Sequence, residues 1–187
     1  VQRTHPDLTN VIWNNLLEIP NNGIDDDNNG YVDDYNGWDV ADNDNNTNPP
    51  NTNLDHGTHV AGIAGAHTNN NIGVSSIGYG ISIIPVKATR DNNLNGTINN
   101  AYDGVYYAAL NNADIINCSW GGSYYSQTNN NIIQSAINNG SIIVASAGNS
   151  NVNLGSSPRY PSCYNGVICV ANTTQSDICL LYTSPSP

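Results

Sequence analysis

The feature that most constrains this chain is an alternation that begins near residue 80. Four short, apolar, β-branched runs, "ISIIPVKA" (81–88), "ADIINCS" (113–119), "SIIVASAG" (141–148) and "GVICVAN" (166–172), punctuate its second half. Continuous apolar runs of this length suit strands buried on both faces of a parallel sheet. Between the first three lie segments of helical period. In "TINNAYDGVYYAALNN" (97–112) Ile98, Ala101, Tyr102, Val105, Ala108 and Ala109 share one face, and "NNIIQSAINNG" (130–140) closes on Gly140. Strand, helix, strand, helix, strand predicts an α/β fold with right-handed crossovers. Ligands in such sheets bind beyond the C-terminal ends of the strands. Here those ends read "NCSWGG" (117–122) and "SAGNSN" (146–151), rich in Ser, Asn and Gly.

The first third is different. To about Asp55 it is dense in Asn, Asp, Gly and Pro, the composition of loops with short extended pieces. Nine of the chain's fifteen acidic residues lie between Asp25 and Asp55, against four basic residues in all, for a net charge of −11. A surface this acidic repels phosphate backbones, so no nucleic-acid partner is expected. No run of eighteen apolar residues is present, so no membrane-spanning helix is expected. At 187 residues there is room for one domain of ordinary size.

Between these regions stands "LDHGTHVAGIAGAH" (54–67), where residues 60–66 read as a small-residue helix with Asp55 as N-cap. His56 and His59 could be metal ligands, or one could be a base. Helical zinc pairs sit four apart with a glutamate between them. These are three apart, without one, so zinc is disfavoured. A structural histidine and a proton-transfer base both remain for "DHGTH" alone.

The motif does not stand alone. "HPDL" (5–8), "HGTHVAGIAGA" (56–66), "NNNIGV" (69–74), "INCSWGG" (116–122) and "ASAGNSN" (145–151) occur in this order, and together they resemble the subtilisin-like serine peptidases, the subtilases, over roughly residues 1–178. The resemblance implies a doubly wound, mostly parallel sheet with helices on both faces, incomplete here at both ends. It makes His56 the general base and His59 structural. Asn149 matches the family's oxyanion-hole asparagine. Ser119, Trp120 and Gly121 would form one edge for the substrate main chain, beside the primary specificity pocket, and Asn95 and Gly96 the other. The partner would be a polypeptide bound in extended conformation. Trp120 replaces the commoner Leu and leaves the pocket preference open.

Two triad members have no counterpart. The family's aspartate, in D-[ST]-G, would fall just ahead of Val1, and the nucleophile's G-T-S-x-A occurs nowhere in the sequence. This chain alone is therefore expected to be inactive. Residues 179–187, "CLLYTSPSP", resemble the translation of a transposase-type sequencing adapter and are set aside as a non-native tail, a Pro/Ser-rich linker being the alternative. Of the cysteines that remain, Cys163 and Cys169 could pair, or Cys169 could have another partner.

The acidic loop has its own spacing. Asp25, Asp27, Asn29, Gly30 and Asp33 reproduce positions 1, 3, 5, 6 and 9 of a calcium loop, with Tyr31 at the carbonyl position and no twelfth-position Glu. The resemblance implies two more calcium sites. One joins Asp7 to Thr68, Asn70, Ile72 and Val74; a weaker one is built on Asp39, Asp42 and Asp44. The reading as a whole is a secreted or cell-surface, monomeric, calcium-stabilised serine endopeptidase. The rival is a calcium-stabilised peptide-binding pseudoenzyme of the same fold. A calcium-binding adhesion domain ranks third, because it gives no reason for "SWGG" and "SAGN" at successive strand ends.

Overall fold

The computed structural model describes residues 1–173 apart from Thr52, Leu94 and Asn151, so the 179–187 tail with Cys179 lies outside the described residues. The chain divides into two compact units, Val1–Gly104 and Val105–Pro187.

In the first unit β1 (Trp38–Asp39) runs parallel to β2 (Val86–Lys87), Trp38 opposite Val86 and Asp39 opposite Lys87. The strand expected over 81–88 is thus mostly absent. Pro85 has no N–H to give to a ladder; its carbonyl accepts from Trp38 N at 3.2 Å, and Ile83 makes only an isolated bridge to Ile12. Gly37 lets the two segments meet: its φ is +95°, and a Cβ there would sit 2.1 Å from the Pro85 oxygen. Helix α1 (His56–Gly65) starts four residues earlier than the pattern suggested. Asp55 does precede it, but its side chain makes no capping bond. Ala61 of α1 and Ala66 after it pack with Leu8 and Ile12, flanked by Val1, Val11 and Ile83.

Helix α2 (Ala101–Leu110) spans the junction in sequence. It begins after Asn100, whose left-handed φ of 51° excludes Ile98 from the expected helix. In the second unit β3 (Ile115–Cys118), β4 (Ile142–Ser146) and β5 (Ile168–Val170) form a parallel sheet in that order. Helix α3 (Gln127–Asn138) packs on β4, burying Ile133 and Ala136, and Ser126 caps it by accepting from Asn129 N at 3.3 Å.

These strands do not bury both faces. Ile116, Cys118, Ile143 and Ala145 are buried, while their alternates Ile115, Ile142, Ile168 and Val170 are half or more exposed. Successive strand side chains point to opposite faces, so among the described residues one face of β3 and β4 is buried and the other only partly covered. The register Cys118↔Ala145 brings the C-terminal ends of β3 and β4 out side by side.

Candidate active site and calcium loops

In the first unit His56 is the exposed first residue of α1. The amino end of the chain lies against that turn. Gln2 N donates to Thr58 Oγ1 at 2.9 Å, and a Cβ at Gly57 would sit 3.9 Å from Val1 N. No carboxylate pairs with His56: every ion pair among the described residues is made by Lys87. His59 is also exposed, its N–H bonded to the Asp55 carbonyl at 2.9 Å. Asn95 and Gly96 lie on an exposed loop where Gly96 takes φ +69°. Asn95 lines a solvent-open depression with Arg90, Asn92, Asn93 and Asn99.

In the second unit Ser119, Trp120 and Gly121 follow β3 directly, with Ser119 Oγ held by Asn117 Nδ2 at 2.9 Å. Asn149 follows β4 and is exposed. The turn before it is held by Gly148 N donating to Ser146 Oγ at 3.1 Å. Parallel pairing of β3 and β4 therefore brings these two sequence-predicted segments to neighbouring strand ends. Cys163 and Cys169 are free thiols rather than a bridge.

Three oxygen-rich groups lie in the first unit. Asp7 is buried and accepts from Asn70 Nδ2 and Val74 N, both at 2.9 Å. The Asn70 amide first, then the Val74 N–H, hold its carboxyl below the usual range against burial. Across the loop Asn69, Asn71 and Gly73 all take left-handed φ of 55–60°, with Asn70 and Ile72 between them and Thr68 and Val74 on either side. A Cβ at Gly73 would lie 2.1 Å from Asp7 Oδ2, so the loop closes on this carboxylate only through a glycine. The Asp7 carboxylate with the side-chain oxygen of Asn70 and the carbonyls of Thr68, Ile72 and Val74 would make an oxygen-only donor set that suits calcium. Here the Asp7 oxygens are met by the Asn70 amide and the Val74 N–H.

The 25–34 loop folds around a residue the spacing did not single out. Glu18 is buried, and its carboxylate accepts from the N–H groups of Asp26, Asp27 and Asp33 at 2.8, 3.2 and 3.0 Å. Carboxylate oxygens of Glu18, Asp25 and Asp27 lie within 4.8 Å of one another. Burial, then the charges of Asp27 and Asp34, push the Glu18 carboxyl up despite those hydrogen bonds. Crowded anions with oxygen donors fit a hard cation. Asn29 bridges Asp27 and Asp34, whereas the Asp33 carboxylate turns to Asn22 N and Gly23 N at 2.9 Å each. The Tyr31 ring stacks edge-on against Trp38.

The third group does not fit. Asp39 and Asp42 gather with Asp91 rather than Asp44, and Lys87 Nζ pairs with all three. Asp44 is exposed and accepts from Asn46 N at 2.8 Å. Burial opposes the Lys87 charge, but its hydrogen bonds to Asp39 and Asp91 outweigh that and hold the ammonium above its ordinary range. A protein cation already neutralises this cluster.

A parallel α/β fold with a helix-borne histidine and polar loops at adjacent strand ends defines a class, and the comparisons give it a family. The model of the Subtilase family matches residues 1–186. The chain is 40% identical over 140 residues to thermitase of Thermoactinomyces vulgaris, covering 75% of this chain and 48% of that protein. It is 40% identical over 141 residues to a thermophilic serine proteinase of Bacillus sp. strain AK1, covering 75% of this chain and 33% of that one. Among solved structures, one described as proteases from Pseudoalteromonas arctica superposes with a TM-score of 0.54 at 33% identity, over 61% of this chain and 36% of that chain. The chain belongs to the subtilase family. It spans less than half the length of these relatives.

Proposed function

We propose that this chain is part of a secreted serine endopeptidase stabilised by calcium. The observation that carries the reading is the pair of adjacent strand ends that present Ser119–Trp120–Gly121 and Asn149. A peptide laid as an added strand along the first would bring its carbonyl toward the amide of the second. His56, exposed at a helix start, takes the proton from the attacking serine and later returns it to the leaving amine. The nucleophile and the acid that orients His56 belong to parts of the enzyme with no counterpart in these residues. Because the amino end of the chain lies against the first turn of α1, an aspartate arriving ahead of Val1 would reach the helix that carries His56. The 187 residues alone would hydrolyse nothing.

Calcium would be held by Asp7 with the 68–74 loop, and by Glu18, Asp25 and Asp27 in the acidic loop. Its contribution would be to neutralise buried like charges and fix loop geometry. The Asp39–Asp42–Asp44 reading is not carried forward, since Lys87 supplies that charge. No helix of the described residues is long and apolar enough to cross a membrane, and two related proteins are named as extracellular proteases. These support the secreted reading.

The test is peptide hydrolysis by the full-length protein and its Asn149→Ala variant. In subtilisin, the reference case for this effect, losing the oxyanion donor costs about 10²–10³ in kcat. A loss of that order with KM little changed is expected. Unchanged kcat would remove Asn149 from the role.

A further inference from the structure

The chain has four basic residues, and Arg159 is the only one in residues 105–173. Its Nη2 donates to Ser150 Oγ at 3.2 Å, and a Cβ at Gly148 would lie 3.9 Å from its Cγ. The stem therefore runs past the residue before Asn149, and the head reaches the residue after it. The neighbouring backbone is fixed to the other strand end. Gly122 N donates to the Tyr160 carbonyl at 2.9 Å, Tyr160 N donates back at 2.8 Å, and a Cβ at Gly121 would sit 3.2 Å from the Tyr160 oxygen. The Arg159 carbonyl accepts from Cys163 N at 2.8 Å and Ser162 Oγ at 2.9 Å, so the turn that carries it is pinned.

The Arg159 guanidinium is thus held beside the loop that carries Asn149, on a residue whose chain neighbour Tyr160 is tied to the segment that would pair with substrate. It makes no ion pair among the described residues. With five donors in a planar fork and one neutral hydroxyl partner, it is equipped to receive a carboxylate. We infer that Arg159 is a specificity-determining residue that selects an acidic side chain, Asp or Glu, on the acyl side of the bond cleaved. This inference rests on the peptidase reading and narrows its substrate class. The net charge of −11 works against acidic peptides at long range, but salt screens that field beyond about 8 Å, so the contact decides.

The experiment uses the full-length protein and peptides identical except for Glu, Gln or Lys at that position. The ratio of kcat/KM for Glu over Lys should be at least about tenfold, the scale of one charge-assisted hydrogen-bonded pair. Arg159→Gln should bring the ratio near one, Arg159→Glu should invert it, and Arg159→Lys should retain an acidic preference. A wild-type ratio of one or below, or a ratio that Arg159→Gln leaves unchanged, overturns the assignment. If no peptide is hydrolysed, the peptidase reading falls, and the same peptides are compared by fluorescence-anisotropy binding. Tighter binding of the Glu peptide, lost in Arg159→Gln, still supports Arg159 as an acid-selecting residue; equal binding overturns it.

Discussion

Cys118 closes β3 with its side chain 1% exposed, and desolvation pushes its thiol up to about 12. At neutral pH it is a packing residue with no thiolate to offer. The sign of its pH linkage follows. Folding favours the protonated thiol, so its contribution is intact below the ordinary value of 9 and is lost as pH climbs toward 12. In a native sample at pH 8 a thiol reagent should label exposed Cys169 and leave Cys118 untouched until denaturant is added. Rapid native labelling of Cys118 would show that β3 opens locally. Glu18 makes the opposite point about legibility. It is buried while Leu16, Leu17 and Ile19 around it are 84, 72 and 61% exposed. Apolar-in, polar-out patterning cannot find such a residue. Three backbone N–H groups of the acidic loop draw it inward, and only the folded loop supplies them.

At the scale of elements, legibility follows the locality of the signal. Helix α3 forms within the segment its spacing indicates, ending before Gly140, but begins three residues earlier, where Ser126 caps it. The 81–88 strand fails because Pro85 breaks the ladder, and the start of α2 shifts because Asn100 turns left-handed. The continuous apolar runs of β3 and β4 suggest burial on both faces, whereas among the described residues Ile115 and Ile142 stay half or more exposed. The 68–74 loop gives the sharpest test at this scale. Gly73→Ala must hold a left-handed φ and place a methyl group on Asp7 Oδ2. It should cost at least about 2 kcal/mol, read as a lower denaturant midpoint at unchanged slope in the full-length protein. A neutral result would mean that this loop does not close on Asp7 as described.

For the whole molecule, five motifs in order identified the family, because each occupies a strand end, a helix start or a tight loop whose chemistry is local. The division into two units and the Lys87-centred cluster were not legible, since both depend on contacts between distant segments. Under the calcium reading, the Asp7 loop and the Glu18–Asp25–Asp27 cluster would tie stability to the ion. Free ion at about 100 times its Kd adds roughly 2.7 kcal/mol per site. A chelator should therefore lower the Tm of the full-length protein, and calcium but not magnesium should restore it. No change on chelation would separate these loops from calcium.

The central claim is that His56 moves the proton in peptide hydrolysis. It is tested most directly by single-turnover cleavage of a peptide by the full-length enzyme and by its His56→Ala variant, with matched circular dichroism spectra. The variant should stay folded and lose about 10⁴-fold or more in rate, because the members of such a triad act as a unit. Turnover within a few-fold of the parent enzyme would contradict the role assigned to His56, and with it the catalytic reading of this chain.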